Sequence, residues 1–278
     1  AAGRVAVLAT GTYGGSIEDM AADVKAMSQC CDAVVIVTAF LAQQTEDDAV
    51  WIANAQKLLE LTPGVRLGTY ECPVPYQRLL SPKAMAWLAG SGRCHFHKDT
   101  CCDVEAMTAK MEAVRAAPNG HAFSFFNANV ETLLPSLLDG AAGFSGISAN
   151  FYPHLHSWLC ANAAKLREGG EGTEQLSAGL HRVQDFLALA EATVCVSYPM
   201  SAKVYAGLYP NFAITPVCRK PALHGVALRP HQREALHAMF RMQRALSESL
   251  EIGEVHPLTA RKVSEGDALA MTQMMRML

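Results

Sequence analysis

The stretch Cys94-His95-Phe96-His97-Lys98-Asp99-Thr100 puts a lysine at the last position of a short run of strand-forming residues. A lysine held among apolar neighbours loses solvation of its ammonium form, so its pKa falls and free amine becomes available to attack a ketone. That is what an imine-forming lysine requires. The competing reading is a lysine that reaches the rim along its apolar stem or pairs with Asp99, and position alone does not choose between them. A second strand end, Val65 to Pro73, runs into a loop that carries Tyr70. Strict alternation along the Cys94 strand puts Lys98 on one face with Cys94 and Phe96, and His95 and His97 on the other. Cys94, Cys101 and Cys102 with His95 and His97 have the residue types of a zinc site. No C-x2-C pair recurs at finger or ribbon spacing, however, and alternation divides the group between two faces. No metal is expected, and zinc analysis of purified protein would test this.

These residues sit in a chain of 278 residues, 50% apolar and 18% charged, a composition that supports a large packed interior. A net charge of −3 and a pI near 6.4 give no excess of Lys and Arg to attract nucleic acid or an anionic membrane. No apolar run is long enough to cross a bilayer, and the N-terminus has no basic segment followed by an apolar stretch and cleavage site. Nine cysteines, with Cys30/Cys31 and Cys101/Cys102 adjacent, do not resemble the disulfide framework of a small secreted domain. A cytoplasmic protein acting on a small molecule is expected.

Short apolar runs alternate with helix-period stretches, the pattern of βα units around a parallel sheet. The runs are Arg4 to Thr10, Ala33 to Thr38, Val65 to Tyr70, Cys94 to Lys98, Ala122 to Phe126 and Gly143 to Ser148. Between them, helices are predicted for Ile17 to Met27 after Ser16, Glu46 to Leu61 after Thr45, Pro82 to about Gly90 after Ser81, about Asp103 to Ala117, and a further one after Asn129. Ser and Thr cap first-turn amides, Pro opens a helix without losing a bond, and Gly permits a left-handed exit. From Asn150 the chain reads as helices over Tyr152 to Arg167, Glu174 to Thr193, Ser201 to Leu208 and Arg229 to Ser249, with Val194 to Tyr198 a short exception. Residues 1–150 are thus a partial barrel, 151–249 a helical part of the same domain, and 250–278 a tail of unassigned role. The Gly-rich segment Thr10 to Ser16 lacks dinucleotide-binding spacing and is expected to be a tight turn.

Four segments in order, Tyr70-Glu71-Cys72-Pro73, His97-Lys98-Asp99-Thr100, Asn127-Ala128-Asn129 and Gly143 to Asn150, resemble the dihydrodipicolinate synthase and N-acetylneuraminate lyase family. The interval of 28 residues from Tyr70 to Lys98 also matches that family's tyrosine and lysine. The resemblance covers about Arg4 to Ser249. It implies a (β/α)8 TIM barrel, here with only six of the eight strands. It also implies a class I aldolase or lyase in which Lys98 condenses with pyruvate or a related 2-oxo acid, and Tyr70 shuttles protons. Thr100, Asn127, Asn129 and Ser145 fall where the family places substrate-facing groups. The scheme needs no cofactor, and homo-oligomers, tetramers or dimers, are what the family suggests.

Three departures qualify this expectation. The family's Gly-Thr-Thr-Gly-Glu carboxylate-binding motif has no counterpart, and Arg4 to Thr10 aligns with the family's third strand, so a truncation is expected. Leu41 stands where the synthase has a tyrosine that reaches a neighbouring subunit. Arg78 follows Tyr76 by two residues instead of the synthase's second-substrate arginine spacing. A sugar-acid or other 2-oxo acid lyase or dehydratase therefore fits better than dihydrodipicolinate synthesis. The alternative is a non-catalytic homologue that binds a small ligand or partner.

Overall fold

The computed structural model describes residues 6–11, 15–169, 172–210, 212, 214–218 and 227–253. They divide into two compact units, one up to Gly143 and one from Phe144 onward.

In the first unit, strands β1 (Leu8–Thr10), β2 (Ala33–Val37), β3 (Leu67–Tyr70), β4 (Cys94–Asp99) and β5 (Ser124–Asn127) pair in parallel, and β6 (Gly143–Phe144) completes a six-stranded sheet in sequence order. Helices α1 (Ile17–Met27), α2 (Asp48–Leu61), α3 (Pro82–Gly90), α4 (Val104–Ala116) and α5 (Leu133–Leu138) alternate with the strands. This is the expected α/β architecture, a partial barrel of the (β/α)8 type. The helix starts follow local chemistry. Ser16 and Asp19 form a reciprocal capping box, Ser81 accepts from the Ala84 amide ahead of Pro82, and Asp103 accepts from the Ala106 amide.

One sheet face carries Ala33, Val35 and Phe96 with Tyr70 and Phe126 packed on them. Gly68 gives the Phe96 ring its place there, because a Cβ at this position would lie 2.2 Å from that ring and force a shift. On the helix-packed face, Trp51 is fully buried, meets Trp87 edge-on and donates its indole N–H to the Thr38 carbonyl. A close-packed face of this kind fixes which side chains can reach the strand ends.

Several element boundaries differ from the sequence expectation. The second helix begins at Asp48, because Asp47 accepts the Ala49 and Val50 amides in place of a cap at Thr45. Gly120–Ala122 is a 3-10 turn, so β5 starts at Ser124, and Ile147–Asn150 is another such turn, so β6 ends at Phe144. Strand β4 contains one extra residue relative to β3, because Cys94 pairs with Leu67 while Phe96 pairs with Gly68. Cys94 consequently lies beside the Thr69 side chain on the helix-packed face, not with Phe96 and Lys98 as strict alternation implied.

The second unit is helical: α6 (Pro153–Glu168), α7 (Thr173–Cys195), α8 (Met200–Ala206) and α9 (Pro230–Ser249). Val194 and Cys195 complete α7, so the apolar stretch there is not a strand. Leu155, Leu159, Leu180, Val183 and Leu187 are fully buried, and His154 bonds Gln243 across the helices at 2.8 Å. His156 stacks on Phe144 with centroids 4.3 Å apart, and burial pushes its pKa down to about 3. Residues 1–5, 12–14 and 254–278, which include the start of the first run, part of the Gly-rich segment and most of the tail, lie outside the described residues.

Candidate active site

Strand register brings the two leading residues together. Tyr70 and Lys98 end β3 and β4 as direct Cα partners, and Lys98 is likewise paired with Phe126 on β5. Both therefore project from the Phe96 face. Lys98 Nζ lies 4.2 Å from the Tyr70 ring centroid, a cation–π distance. The amine thus meets the ring face, while the Tyr70 hydroxyl interacts with the Cys72 thiol.

Burial lowers the pKa of Lys98 below the ordinary lysine value, against an opposing pull from Cys72. Burial also raises Tyr70 to about 12, with Cys72 adding to the effect. Both shifts favour the neutral forms, a free amine beside an un-ionised phenol. That combination suits nucleophilic attack followed by proton donation.

The other sequence-derived residues are placed differently. Thr100 donates its hydroxyl to the Glu71 carbonyl at 2.7 Å and accepts from Gln77 at 3.0 Å. Asn127 is fully buried, donates to Thr132 and Ser136 at 3.0 Å each, and accepts from the Asn129 amide at 2.7 Å. Asn129 in turn donates to Glu131 and accepts from the Thr132 amide and hydroxyl. These two asparagines organise the loop between β5 and α5. Ser145, in the second unit, is half-buried just after β6. Leu41 is buried at 2% exposure. Arg78 donates to the Gln43, Glu46 and Asp47 carbonyls at 2.6, 3.0 and 3.1 Å, so its guanidinium clamps the loop before α2.

Sequence reasoning missed a charged cluster directly behind the pair. Glu71 and Asp99, the residues following Tyr70 and Lys98, point to the opposite sheet face and are fully buried there with His97. Lys110 of α4, also buried, donates to Glu71 Oε1 at 2.8 Å and Asp99 Oδ2 at 2.5 Å. The Leu80 and Thr100 amides donate to the two Glu71 oxygens, and the Cys101 amide to Asp99 Oδ1. His97 Nε2 lies 3.3 Å from Glu71 Oε1 without hydrogen-bond alignment, and its Nδ1 bonds the Thr69 hydroxyl at 2.8 Å. The directed bonds to Glu71 Oε1 are therefore those of Lys110 and Leu80. Among the described residues, Glu71, His97 and Asp99 are the only group whose ligand-type atoms converge, within 4.8 Å. Lys110 supplies the positive charge between its two carboxylates. Burial disfavours both charges, but Lys110 is raised by Glu71 and Asp99, and Glu71 is held down at about 2 by His97 and Lys110.

No family model matches the sequence, and no curated protein matches it. Its fold is nonetheless found among solved structures. Dihydrodipicolinate synthase from Thermotoga maritima superposes with a TM-score of 0.67 at 18% identity, over 87% of this chain and 76% of that one. A catalytic lysine mutant of Ruminococcus gnavus sialic acid aldolase gives 0.64 at 15% identity, over 86% and 74%. An Escherichia coli prophage protein of the dihydrodipicolinic acid synthase family, solved in complex with pyruvate, gives 0.62 at 18%, over 90% and 76%. The chain has the fold of the dihydrodipicolinate synthase and sialic acid aldolase family. Among the described residues, no helix is long and apolar enough to cross a membrane.

Proposed function

We propose that the chain is a class I aldolase or lyase of that family and that Lys98 forms an imine with pyruvate or a related 2-oxo acid. The observation that carries this reading is the half-buried Lys98 amine at a strand end, 4.2 Å over the Tyr70 ring, with burial lowering its proton affinity. The neutral amine adds to the ketone carbon, the carbonyl oxygen leaves as water, and the protonated imine withdraws electrons from the adjacent carbon. A carbon–carbon bond or a C–H bond next to it then breaks to give the enamine. The Tyr70 phenol, kept un-ionised, is the group placed to pass protons to and from the departing oxygen. With Arg78 bonded to three carbonyls, a sugar-acid or other 2-oxo acid lyase or dehydratase is favoured over dihydrodipicolinate synthesis. A homo-oligomer, dimer or tetramer, belongs to the same proposal. So does a cytoplasmic setting, which suits nine free cysteines.

Borohydride reduction in the presence of pyruvate, followed by peptide mass spectrometry, tests the proposal. A reduced adduct on Lys98, absent from Lys98→Ala, is the expected result, and folded wild-type protein that yields no adduct refutes it. A second reading, a non-catalytic homologue that binds a small ligand, is favoured by buried Leu41 at the position of the family's subunit-bridging tyrosine. It predicts pyruvate binding without an adduct.

A further inference from the structure

Tyr70 and Lys98 are separated along the chain, and strand pairing alone leaves their side chains free to part at the open ends of β3 and β4. Each is followed by a carboxylate that turns to the other face, and a single ammonium from α4 bonds both, at 2.8 Å to Glu71 and 2.5 Å to Asp99. The Thr100 amide and hydroxyl add two more bonds from the end of β4 to Glu71. The Glu71 amide donates to the Lys98 carbonyl at 3.2 Å, so the cross-tie is continuous with the backbone of the lysine itself. Without Lys110, two buried carboxylates would keep their backbone amide donors but lose the ammonium between them, and repulsion would separate these strand ends.

We propose that Lys110 is a positioning residue that acts through Glu71 and Asp99 to hold the Tyr70 ring over the Lys98 amine. The inference rests on the imine-forming reading of Lys98 for its functional meaning. Its structural content can be measured without any substrate. The bonds of Lys110 go to the residues next to the paired ones in the chain. The groups facing Lys98 are Tyr70 and Cys72, and those facing Lys110 are Glu71 and Asp99, with His97 beside Glu71 and the Cys101 thiol beside Asp99 and Lys110.

The test is the pH dependence of acetic anhydride labelling, resolved to the Lys98 peptide by mass spectrometry, in wild type, Lys110→Met, Lys110→Arg and Glu71→Gln/Asp99→Asn/Lys110→Met. In Lys110→Met the lysine is expected to move off the ring into water. Its labelling midpoint then rises toward the ordinary lysine value, and the fraction of free amine at a fixed pH falls. Lys110→Arg restores part of the wild-type midpoint. Val24→Ala, which removes a buried side chain of α1, keeps it, separating positioning from general loosening. Where Lys110→Met does not fold, the triple variant, which leaves none of the three charges buried alone, carries the same comparison. Pyruvate trapping is expected to fall at least tenfold in the folded variant at an unchanged half-saturating concentration. A folded variant lacking the ammonium that keeps the wild-type Lys98 midpoint overturns the proposal. Failure of wild type to trap pyruvate instead removes the imine reading, and leaves the midpoint comparison standing.

Discussion

Lys98 Nζ sits 4.2 Å over the Tyr70 ring, and the two residues are Cα partners at the ends of neighbouring parallel strands. The ring and the hydroxyl of Tyr70 therefore have separable duties. The ring covers the amine, and in the proposed mechanism the hydroxyl transfers protons. Tyr70→Phe is expected to leave the Lys98 labelling midpoint in place and slow pyruvate trapping by about 10²–10⁴-fold, the usual contribution of a positioned acid or base. Tyr70→Ala should do both, slowing trapping and raising the midpoint. Equal midpoints in the two variants would show that the ring does not matter to the amine.

The lowered proton affinity of Lys98 fixes the direction of the pH response. Only the neutral amine attacks, so the rate of imine formation at saturating pyruvate should rise with pH and level off below the ordinary lysine value of 10.5. Stopped-flow absorbance or quenched borohydride trapping gives this profile. A rate still climbing at that ordinary value would mean a solvated lysine.

Glu71 is held at about 2 in the fold, compared with an ordinary value of 4.5. The unfolded chain takes up this proton more readily, so the stabilisation is complete above the ordinary value and is lost as pH falls through about 2. Urea denaturation of Glu71→Gln across this range is expected to show lower stability than wild type at neutral pH and a flatter acid limb. At neutral pH, Lys110→Met should cost about 3–5 kcal/mol, the usual effect of breaking a buried pair. Parallel acid limbs in wild type and Glu71→Gln would exclude the assignment.

Arg78 donates to three backbone carbonyls, and hydrogen bonds from a charged group contribute about 1.5–3 kcal/mol each. Arg78→Met is expected to lower the melting temperature by about ten degrees or more while the half-saturating pyruvate concentration stays within about twofold. A large rise in that concentration, with stability intact, would instead make Arg78 a substrate ligand.

Gly68→Ala would place a methyl group 2.2 Å from the Phe96 ring. Overpacking of this kind costs about 1–3 kcal/mol, and thermal unfolding should register it. An unchanged melting temperature would mean that the ring has somewhere to go.

Much of the βα alternation was legible because helix starts are local chemistry. Ser16 and Ser81 cap where expected, while Asp103, expected as the first helical residue, is itself the cap. Thr45 was the expected cap before Glu46, and the backbone path selects Asp47 instead. Val194 to Tyr198 has the residue types of a strand, yet a long preceding helix carried Val194 and Cys195 along with it. At the candidate site, Tyr70 and Lys98 stood out through the 28-residue interval shared with the family they resemble, and strand pairing makes these two strand ends neighbours. Thr100, Asn127 and Asn129 have the right polarity for substrate contacts, but polarity at a strand end does not distinguish a ligand from a loop brace. Lys110 was invisible because it lies 39 residues from Glu71 on a different element. A signal for it did exist: it occupies the buried stripe of α4 with Met107, Met111 and Val114, where a charged residue demands a partner.

The extra residue in β4 between Cys94 and Phe96 resets the phase of that strand relative to β3. Upstream of it, side-chain identity answers to the helix layer, and downstream Phe96 against Gly68 sets the phase anew. The irregularity thus lets one strand serve two alternation patterns, with Cys94 turned to the helix layer and Phe96 and Lys98 sharing the opposite face.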